Sequence, residues 1–150
     1  MLTNNQEKHE KIVENAAKLL RLHGFQAQKM PLYRCKYDIL VNYHIRIEVK
    51  VCDKQAISQN GYSYTTWRAT LQRNGKLSNN FVDFFWISLL GLPEIKEPTH
   101  LIIPSVVIGE RKTYGFTIRS MMRKGSKWID RFDLIRLFEA EGSRSHEGNL

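Results

Sequence analysis

The sequence lacks several features that define large classes of protein. It holds only two cysteines, Cys35 and Cys52, and no group of Cys and His at zinc-finger spacing, which excludes a disulfide scaffold and a four-thiolate zinc site. No apolar run is long enough to cross a bilayer, and the first residues, MLTNNQEKHEK, are too polar for a secretory signal. We therefore expect a cytoplasmic protein with no membrane partner, whose cysteines are reduced packing residues.

Acidic residues are scarce relative to basic ones. The 150 residues include 23 Lys+Arg and 15 Asp+Glu, which gives a formal net charge of +8. This excess favours a polyanionic partner, with nucleic acid first and an acidic membrane surface second, although a merely basic soluble protein has the same balance. No long basic block or basic amphipathic helix favours the membrane alternative.

The order of the predicted elements is typical of one α/β domain. Thr3 and Gln6 form a capping box that begins an amphipathic helix over residues 4–23, and Gly24 ends it. Strands are predicted at 25–30, 36–42, 45–52, 62–72 and 81–90, and in the segments THLIIP and TYGFTI, before a C-terminal helix at 128–140. We expect a mixed β-sheet flanked by helices, with a core from about 4 to 140 and a polar tail at 142–150.

One predicted hairpin, YDILVNYHIRIEVK, carries charges that its apolar neighbours do not explain. Its odd-numbered positions are apolar and its even-numbered positions are mostly polar, so the two sets occupy opposite faces. A three-residue turn at 42–44 brings residues of like parity opposite each other and sets Asp38 against Glu48. Opposed residues have β-carbons about 5 Å apart, so the two carboxylates repel each other, and Lys50 lies two residues along the same face.

Two interpretations of this charged face remain open. It is either a solvated sheet face on which Lys50 balances the carboxylates, or a site for a divalent cation. In the second case Asp38 and Glu48 supply oxygen ligands, and the backbone carbonyl of Val49 adds another. Lys50 then orients a water molecule or stabilises developing charge on a phosphate.

The hairpin resembles the PD-(D/E)XK nuclease superfamily, whose pattern here is Asp38 followed by Glu48–Val49–Lys50. Tyr37 stands where the family name has Pro. Members of the family usually begin with a helix that carries a metal-site Glu before a Gly-Phe pair, and ENAAKLLRLHGF offers Glu14, with Glu10 one turn earlier as the alternative. The order IEVK, a Tyr- and Thr-rich strand, VDFF and LIIP resembles the small group of that superfamily associated with mobile group I introns, over residues 10–108.

The resemblance implies phosphodiester hydrolysis that depends on Mg²⁺, with Mn²⁺ also accepted. Asp38, Glu48 and the Val49 carbonyl hold the metal, Lys50 assists the attacking water, and Glu14 or Glu10 completes the site. The implied substrate is double-stranded DNA, cut on both strands at a long target by a homo-oligomer, either a dimer or a pair of dimers. A Holliday-junction resolvase and a non-catalytic DNA-binding module on the same fold are the alternatives.

Basic residues around the hairpin are candidates for DNA contacts. They lie beside the hairpin (Arg34, Lys36 and Lys54), on the following strand (Arg68), in the turn RNGK (Arg73 and Lys76) and in a later cluster (Arg111 and Lys112). We expect phosphate contacts to provide affinity and base-edge contacts to set sequence, while any one of these charges is also compatible with a solvated surface.

Overall fold

The computed structural model describes residues 2–31, 35–73, 76–77 and 81–148, and for residues 72–73, 76–77 and 143–148 it describes the backbone alone. In chain order the α-helices and β-strands are α1 (Asn4–Leu22), β1 (Ala27–Lys29), β2 (Ile39–Val41), β3 (Ile45–Cys52), β4 (Lys54–Gln59), β5 (Tyr62–Thr70), β6 (Gln72–Arg73), β7 (Lys76–Leu77), β8 (Phe84–Leu89), β9 (Thr99–Pro104), α2 (Ser105–Ile108), β10 (Thr113–Thr117), α3 (Ile118–Ser120) and α4 (Phe132–Gly148), with a π-helical turn (Met121–Gly125) and a 3₁₀ turn (Ser126–Trp128) between α3 and α4.

The centre of the fold is a five-stranded sheet in the order β1-β2-β3-β8-β9. Strands β3 and β8 are parallel, and the other neighbours in this sheet are antiparallel. A smaller sheet has the order β10-β5-β4. The predicted α/β class, with a mixed sheet and flanking helices, is confirmed.

Helix α1 covers one face of the central sheet. The capping box of Thr3 and Gln6 is present, and the helix ends before Gly24, whose φ of 90° lies in the left-handed region that glycine adopts without strain. Within the described ranges, no helix is long and apolar enough to cross a membrane. The side chains that α1 buries, together with those of α4 against the same face, are Val13, Ala16, Ala17, Leu20, Phe132 and Ile135.

The opposite face of the central sheet packs against the small sheet. Trp67 of β5 and Phe116 of β10 lie in this second core, and Trp67 Nε1 donates a hydrogen bond to the carbonyl of Leu90. Consecutive side chains of β8 therefore alternate between the two cores, and every residue of this strand is buried. Burial on both faces explains why this strand, FFWISL, is almost continuously apolar.

Three predicted boundaries are wrong. Strand β2 begins at Ile39, so residues 36–38 are bends and Tyr37 packs with the second core rather than with the odd-numbered face. Helix α4 begins at Phe132 rather than at 128, because Asp130 has a φ of 50° and Ile129 forms a bridge with Leu101. The helix continues to Gly148. This helical backbone extends into the segment predicted as a polar tail.

Strand β4 was not predicted. It pairs with β5 through a two-residue turn at Asn60 and Gly61, whose φ values of 51° and 79° fit the type I′ hairpin that Asn-Gly favours. The sequence signal was present, but the residues before it, KQAISQ, are mostly polar and lack the alternation of a half-buried strand.

A buried polar group joins β8 to β9. Ser88 Oγ lies 2.8 Å from His100 Nδ1, and Trp86 Nε1 donates to the same nitrogen at 3.2 Å. Trp86 Nε1 also donates to Ser88 Oγ at 3.1 Å, so the indole, the hydroxyl and the imidazole form one buried hydrogen-bonded cluster. Burial lowers the pKa of His100, and the charge of Asp130 offsets part of this effect.

We expect the free energy of unfolding to decrease as the pH falls below about 6.5, the pKa of His in an unfolded chain. The folded-state pKa of His100 is lower than this value, so the unfolded chain binds the proton first and is favoured. Urea unfolding of the wild type and His100→Gln between pH 7 and pH 5 measures the effect. The variant should show a shallower pH dependence, and His44→Gln, in an exposed turn, should match the wild type. Equal slopes for His100→Gln and wild type would contradict the prediction.

Candidate active site at the end of strand β2

The register of the β2–β3 hairpin follows the predicted pairing. Val41 pairs with Ile45, and Ile39 pairs with Ile47, around a turn in which Asn42 and Tyr43 have φ values of 48° and 68°. The ladder ends at Ile39, one residue before the predicted pair of Asp38 and Glu48. Strand β3 continues beyond this point, so its next backbone groups on that edge have no strand from β2 beside them.

Beyond the end of the ladder, the Asp38 side chain supplies the hydrogen-bond acceptor that a neighbouring strand would otherwise provide to β3. The Asp38 backbone N–H donates to the Ile47 carbonyl at 2.9 Å, and Asp38 Oδ2 accepts a hydrogen bond of 2.7 Å from the Val49 backbone N–H. Val49 is buried, so its amide requires an acceptor. The bond fixes the Asp38 carboxylate at the edge of β3 and uses only one of its two oxygens.

The His9 side chain of α1 contacts the backbone carbonyl of Val49. Its Nε2 is 3.0 Å from the Val49 carbonyl oxygen and 3.8 Å from Asp38 Oδ2. Since a carbonyl only accepts, the proton is on Nε2 in this arrangement. The Val49 carbonyl, a predicted metal ligand, thus already accepts one hydrogen bond and has a second lone pair.

Glu48 and Lys50 extend from β3 toward the second core. The Glu48 side chain is 0% exposed and its Oε1 lies 3.5 Å from Lys50 Nζ, while the Lys50 side chain is 20% exposed. A carboxylate is costly to bury unless a charge or a hydrogen bond compensates it. The interpretation of these charges as a solvated face is therefore wrong for Glu48.

The two acidic candidates on α1 occupy different environments. Glu10 is partly buried and forms an ion pair with Lys29 of β1, the residue that pairs with Ile39. Glu14 is exposed. Of the two, Glu10 is the one next to His9 on the side of α1 that meets the sheet edge.

An open depression of about 430 Å³ lies over Lys50, between the start of α1 and strands β3 and β5. Its lining mixes polar and apolar side chains, and two of the lining residues, Lys8 and Asp53, form an ion pair of 2.5 Å. The charged side chains on the lining are the cations of Lys8, Lys50 and Arg68 and the carboxylate of Asp53.

The remaining basic candidates are dispersed. Arg34 lies outside the described residues. Lys36 is stacked on the ring of Phe81 at 4.0 Å from its centroid, and Arg111 lies over Tyr114 at 5.5 Å. Lys54 is exposed at the start of β4, and the Lys112 carbonyl accepts from the Leu71 amide. The backbones of Arg73 and Lys76 pair with each other in the hairpin of β6 and β7.

Asp83 is a structural acid that organises the far end of β3. Its Oδ2 accepts from the Arg46 backbone N–H at 2.8 Å, and its Oδ1 lies 3.3 Å from Arg46 Nη2. The Asp83 amide in turn donates to the Arg46 carbonyl. This exchange starts the parallel pairing of β3 with β8.

Sequence reasoning missed His9 and Lys8. A signal for His9 was available, because residue 9 is four positions before the buried Val13 and therefore faces the sheet. Nothing in the spacing of Lys8 distinguished it from the other exposed lysines.

The donor set fits a hard divalent cation. Asp38, Glu48 and the Val49 carbonyl supply oxygen only, which suits Mg²⁺ and excludes a soft-metal site. No group of three or more His, Cys, Asp and Glu side chains with metal-binding geometry occurs among the residues that the structure describes. A site with fewer than three such side chains is still compatible with Mg²⁺, because this ion commonly binds through one or two carboxylates and keeps several waters.

Replacing Asp38 should separate its structural role from its charge. In Asp38→Asn the amide oxygen can still accept from Val49, so the free energy of unfolding should change little. In Asp38→Ala the buried Val49 N–H loses this acceptor, which costs about 1–3 kcal/mol. Urea unfolding of both variants measures the difference, and equal losses would show that the hydrogen bond to Val49 contributes nothing.

Comparison with known proteins identifies a fold neighbour. No protein-family model and no curated protein sequence matches this chain. A solved structure described as that of a bacterial homing endonuclease, I-Ssp6803I, aligns with a TM-score of 0.62 and 15% sequence identity, over 95% of this chain and 99% of that one. At this identity the likeness shows a shared fold, and this chain is therefore similar in architecture to that endonuclease.

Proposed function

We propose that this chain is a metal-dependent DNA endonuclease of the PD-(D/E)XK type. The single observation that carries the proposal is the edge of β3, where the Asp38 carboxylate binds the Val49 amide beside Glu48 and Lys50. The spacing of the three residues matches the superfamily pattern, and the fold neighbour bears the name of an endonuclease. The net charge of +8 suits a polyanionic substrate.

In this proposal Asp38, Glu48 and the Val49 carbonyl hold Mg²⁺, which supplies Lewis-acid activation when bound, and Mn²⁺ substitutes for it. Asp38 is held in place by the Val49 amide, and His9 orients the Val49 carbonyl. Lys50 reaches from the buried Glu48 into the depression, where it orients the attacking water and stabilises charge on the phosphate. Arg68 on the same lining holds a neighbouring phosphate.

The homing type is the form of this function that the comparison favours. The fold neighbour is described as a homing endonuclease and the alignment covers nearly the whole of both chains. We infer a long duplex target, of the kind associated with group I introns, cut on both strands. Since one site cuts one strand, double-strand cleavage by this chain requires a homo-oligomer, either a dimer or a pair of dimers.

Cleavage that requires both Mg²⁺ and Lys50 is the expected result of the direct test. Supercoiled and linear DNA carrying candidate intron-insertion sites, and a four-way junction, are incubated with the protein in Mg²⁺, in Mn²⁺ and in EDTA. Lys50→Ala should lose about 100-fold or more of the rate, because it removes a cation aimed at developing charge. Lys96→Ala, an exposed lysine in a loop, is the matched control and should retain the wild-type rate.

Several outcomes would change the proposal. Salt-sensitive binding without cleavage by the wild type, on any DNA, would indicate a non-catalytic binding module. Cleavage confined to the four-way junction would indicate a resolvase. A Lys50→Ala variant that unfolds at lower urea than the wild type would reflect exposure of the buried Glu48 charge, so its rate is compared only where both proteins are folded.

Glu10 and Glu14 form a second matched pair. We expect Glu10→Gln to reduce the cleavage rate by more than tenfold, because its carboxylate lies beside the sheet edge and neutralising it alters the charge near the metal. Glu14→Gln should cleave at the wild-type rate, since this side chain is exposed. Steady-state cleavage over a range of Mg²⁺ concentrations distinguishes weaker metal binding from slower chemistry. The reverse order of effects would assign the role to Glu14.

A further inference from the structure

Strands β4 and β5 project beyond the small sheet as a two-stranded ribbon. Strand β10 pairs with Thr66–Thr70, whereas in the described part of the chain Tyr62–Thr65 pair with β4 alone. We refer to residues 55–65 as the ribbon. At about 3.4 Å per residue it is about 17 Å long, and its residues are exposed apart from the partly buried Ile57 and Thr65.

The ribbon has no charged residue, although the whole chain has a net charge of +8. Its sequence, QAISQNGYSYT, consists largely of amide and hydroxyl side chains. Neutralising phosphate charge needs Lys or Arg, whereas Gln, Asn, Ser and Thr offer uncharged hydrogen bonds, to base edges as well as to phosphate oxygens. The composition therefore fits an element that reads bases rather than one that neutralises the backbone.

The register sorts the ribbon into two faces. Gln55 and Gln59 share one face with Tyr62 and Tyr64, since Ile57 pairs with Tyr64 and Gln59 with Tyr62. Arg68 has the same parity on β5 and is exposed, and it lines the depression that contains Lys50. We call this the Gln-Tyr face; it is continuous with the candidate active site.

The ribbon is joined stiffly to the catalytic strand. Only Asp53 separates the end of β3 from the start of β4, and the Asn60–Gly61 turn matches the right-handed twist of the two strands. A reading element held in this way has a fixed distance from Lys50. It would therefore place its base contacts at a fixed number of base pairs from the cut.

We propose that the ribbon enters the major groove of duplex DNA and reads base pairs beside the cut with its Gln-Tyr face, Gln55 and Gln59 providing the base-edge contacts. The inference rests on the proposed function for its substrate. A major groove about 12 Å wide admits a two-stranded ribbon, and Gln pairs with both N6 and N7 of adenine. The alternative is that the open edge of β4 contacts a second copy of the chain, and the experiment is designed to distinguish this from DNA binding.

The test measures binding without cleavage. Duplexes with randomised base pairs are selected by the wild type in EDTA, and the same pool is used for Gln55→Ala/Gln59→Ala. We expect this variant to lose roughly 5- to 150-fold of preference at each base pair it read, with no change in the dependence of binding on salt. Ser58→Ala/Ser63→Ala, on the opposite face, is the matched control and should select the wild-type sequence.

Arg68→Ala provides the complementary control. It should weaken binding to all sequences and lower the slope of log K against log salt by about 1, without changing the selected sequence. These two signatures distinguish a base-reading face from a phosphate contact on the same side of the molecule.

The proposal is overturned if the Gln variant selects the wild-type sequence, or if the Ser variant loses the same positions. It is also overturned if the Gln variant has a smaller mass by light scattering, since the ribbon is then a subunit contact. If the wild-type protein binds no duplex, both the proposed nuclease function and the base-reading ribbon are wrong. A wild type that selects a sequence but never cuts it removes the nuclease and leaves the reading ribbon.

Discussion

The candidate site depends on the difference in length between β2 and β3. Strand β2 begins only at Ile39, whereas β3 continues past Ile47, the partner of Ile39, to Cys52, so the backbone of Val49 lies at an edge with no neighbouring strand from β2. A buried peptide group must find partners, and here they are the Asp38 carboxylate and the His9 ring. The requirement to satisfy one peptide unit thereby gathers an acid, an imidazole and a backbone carbonyl at one point.

The same constraint explains how the rest of the fold is arranged around that point. Parallel pairing of β3 with β8 requires a long crossover, which here is built from antiparallel strands rather than from a helix. The crossover covers the second face of the central sheet with Trp67 and forms the wall that carries Arg68. Burial of the sheet on both faces leaves Glu48 fully enclosed, while Lys50, two residues further, reaches the depression.

The hairpin and the first helix were predictable because their signals are local. Alternating apolar residues from Ile39 to Val49 fixed the register, and the capping box of Thr3 and Gln6 fixed the helix start. The start of β2, by contrast, was not predicted, and Tyr37, just before it, packs against the second core. Strand β4 escaped prediction because an exposed ribbon has no buried face and therefore no periodic apolar pattern.

The sequence by itself determined the α/β class and the register of the β2–β3 hairpin. The register follows from the two-residue period of a strand and from the length of the turn. Only the tertiary structure decided that Glu48 is buried, that His9 binds the Val49 carbonyl and that Glu10 rather than Glu14 lies against the sheet edge. These are contacts between segments far apart in the chain. They depend on how α1 and the small sheet pack on the central sheet, which no local pattern encodes.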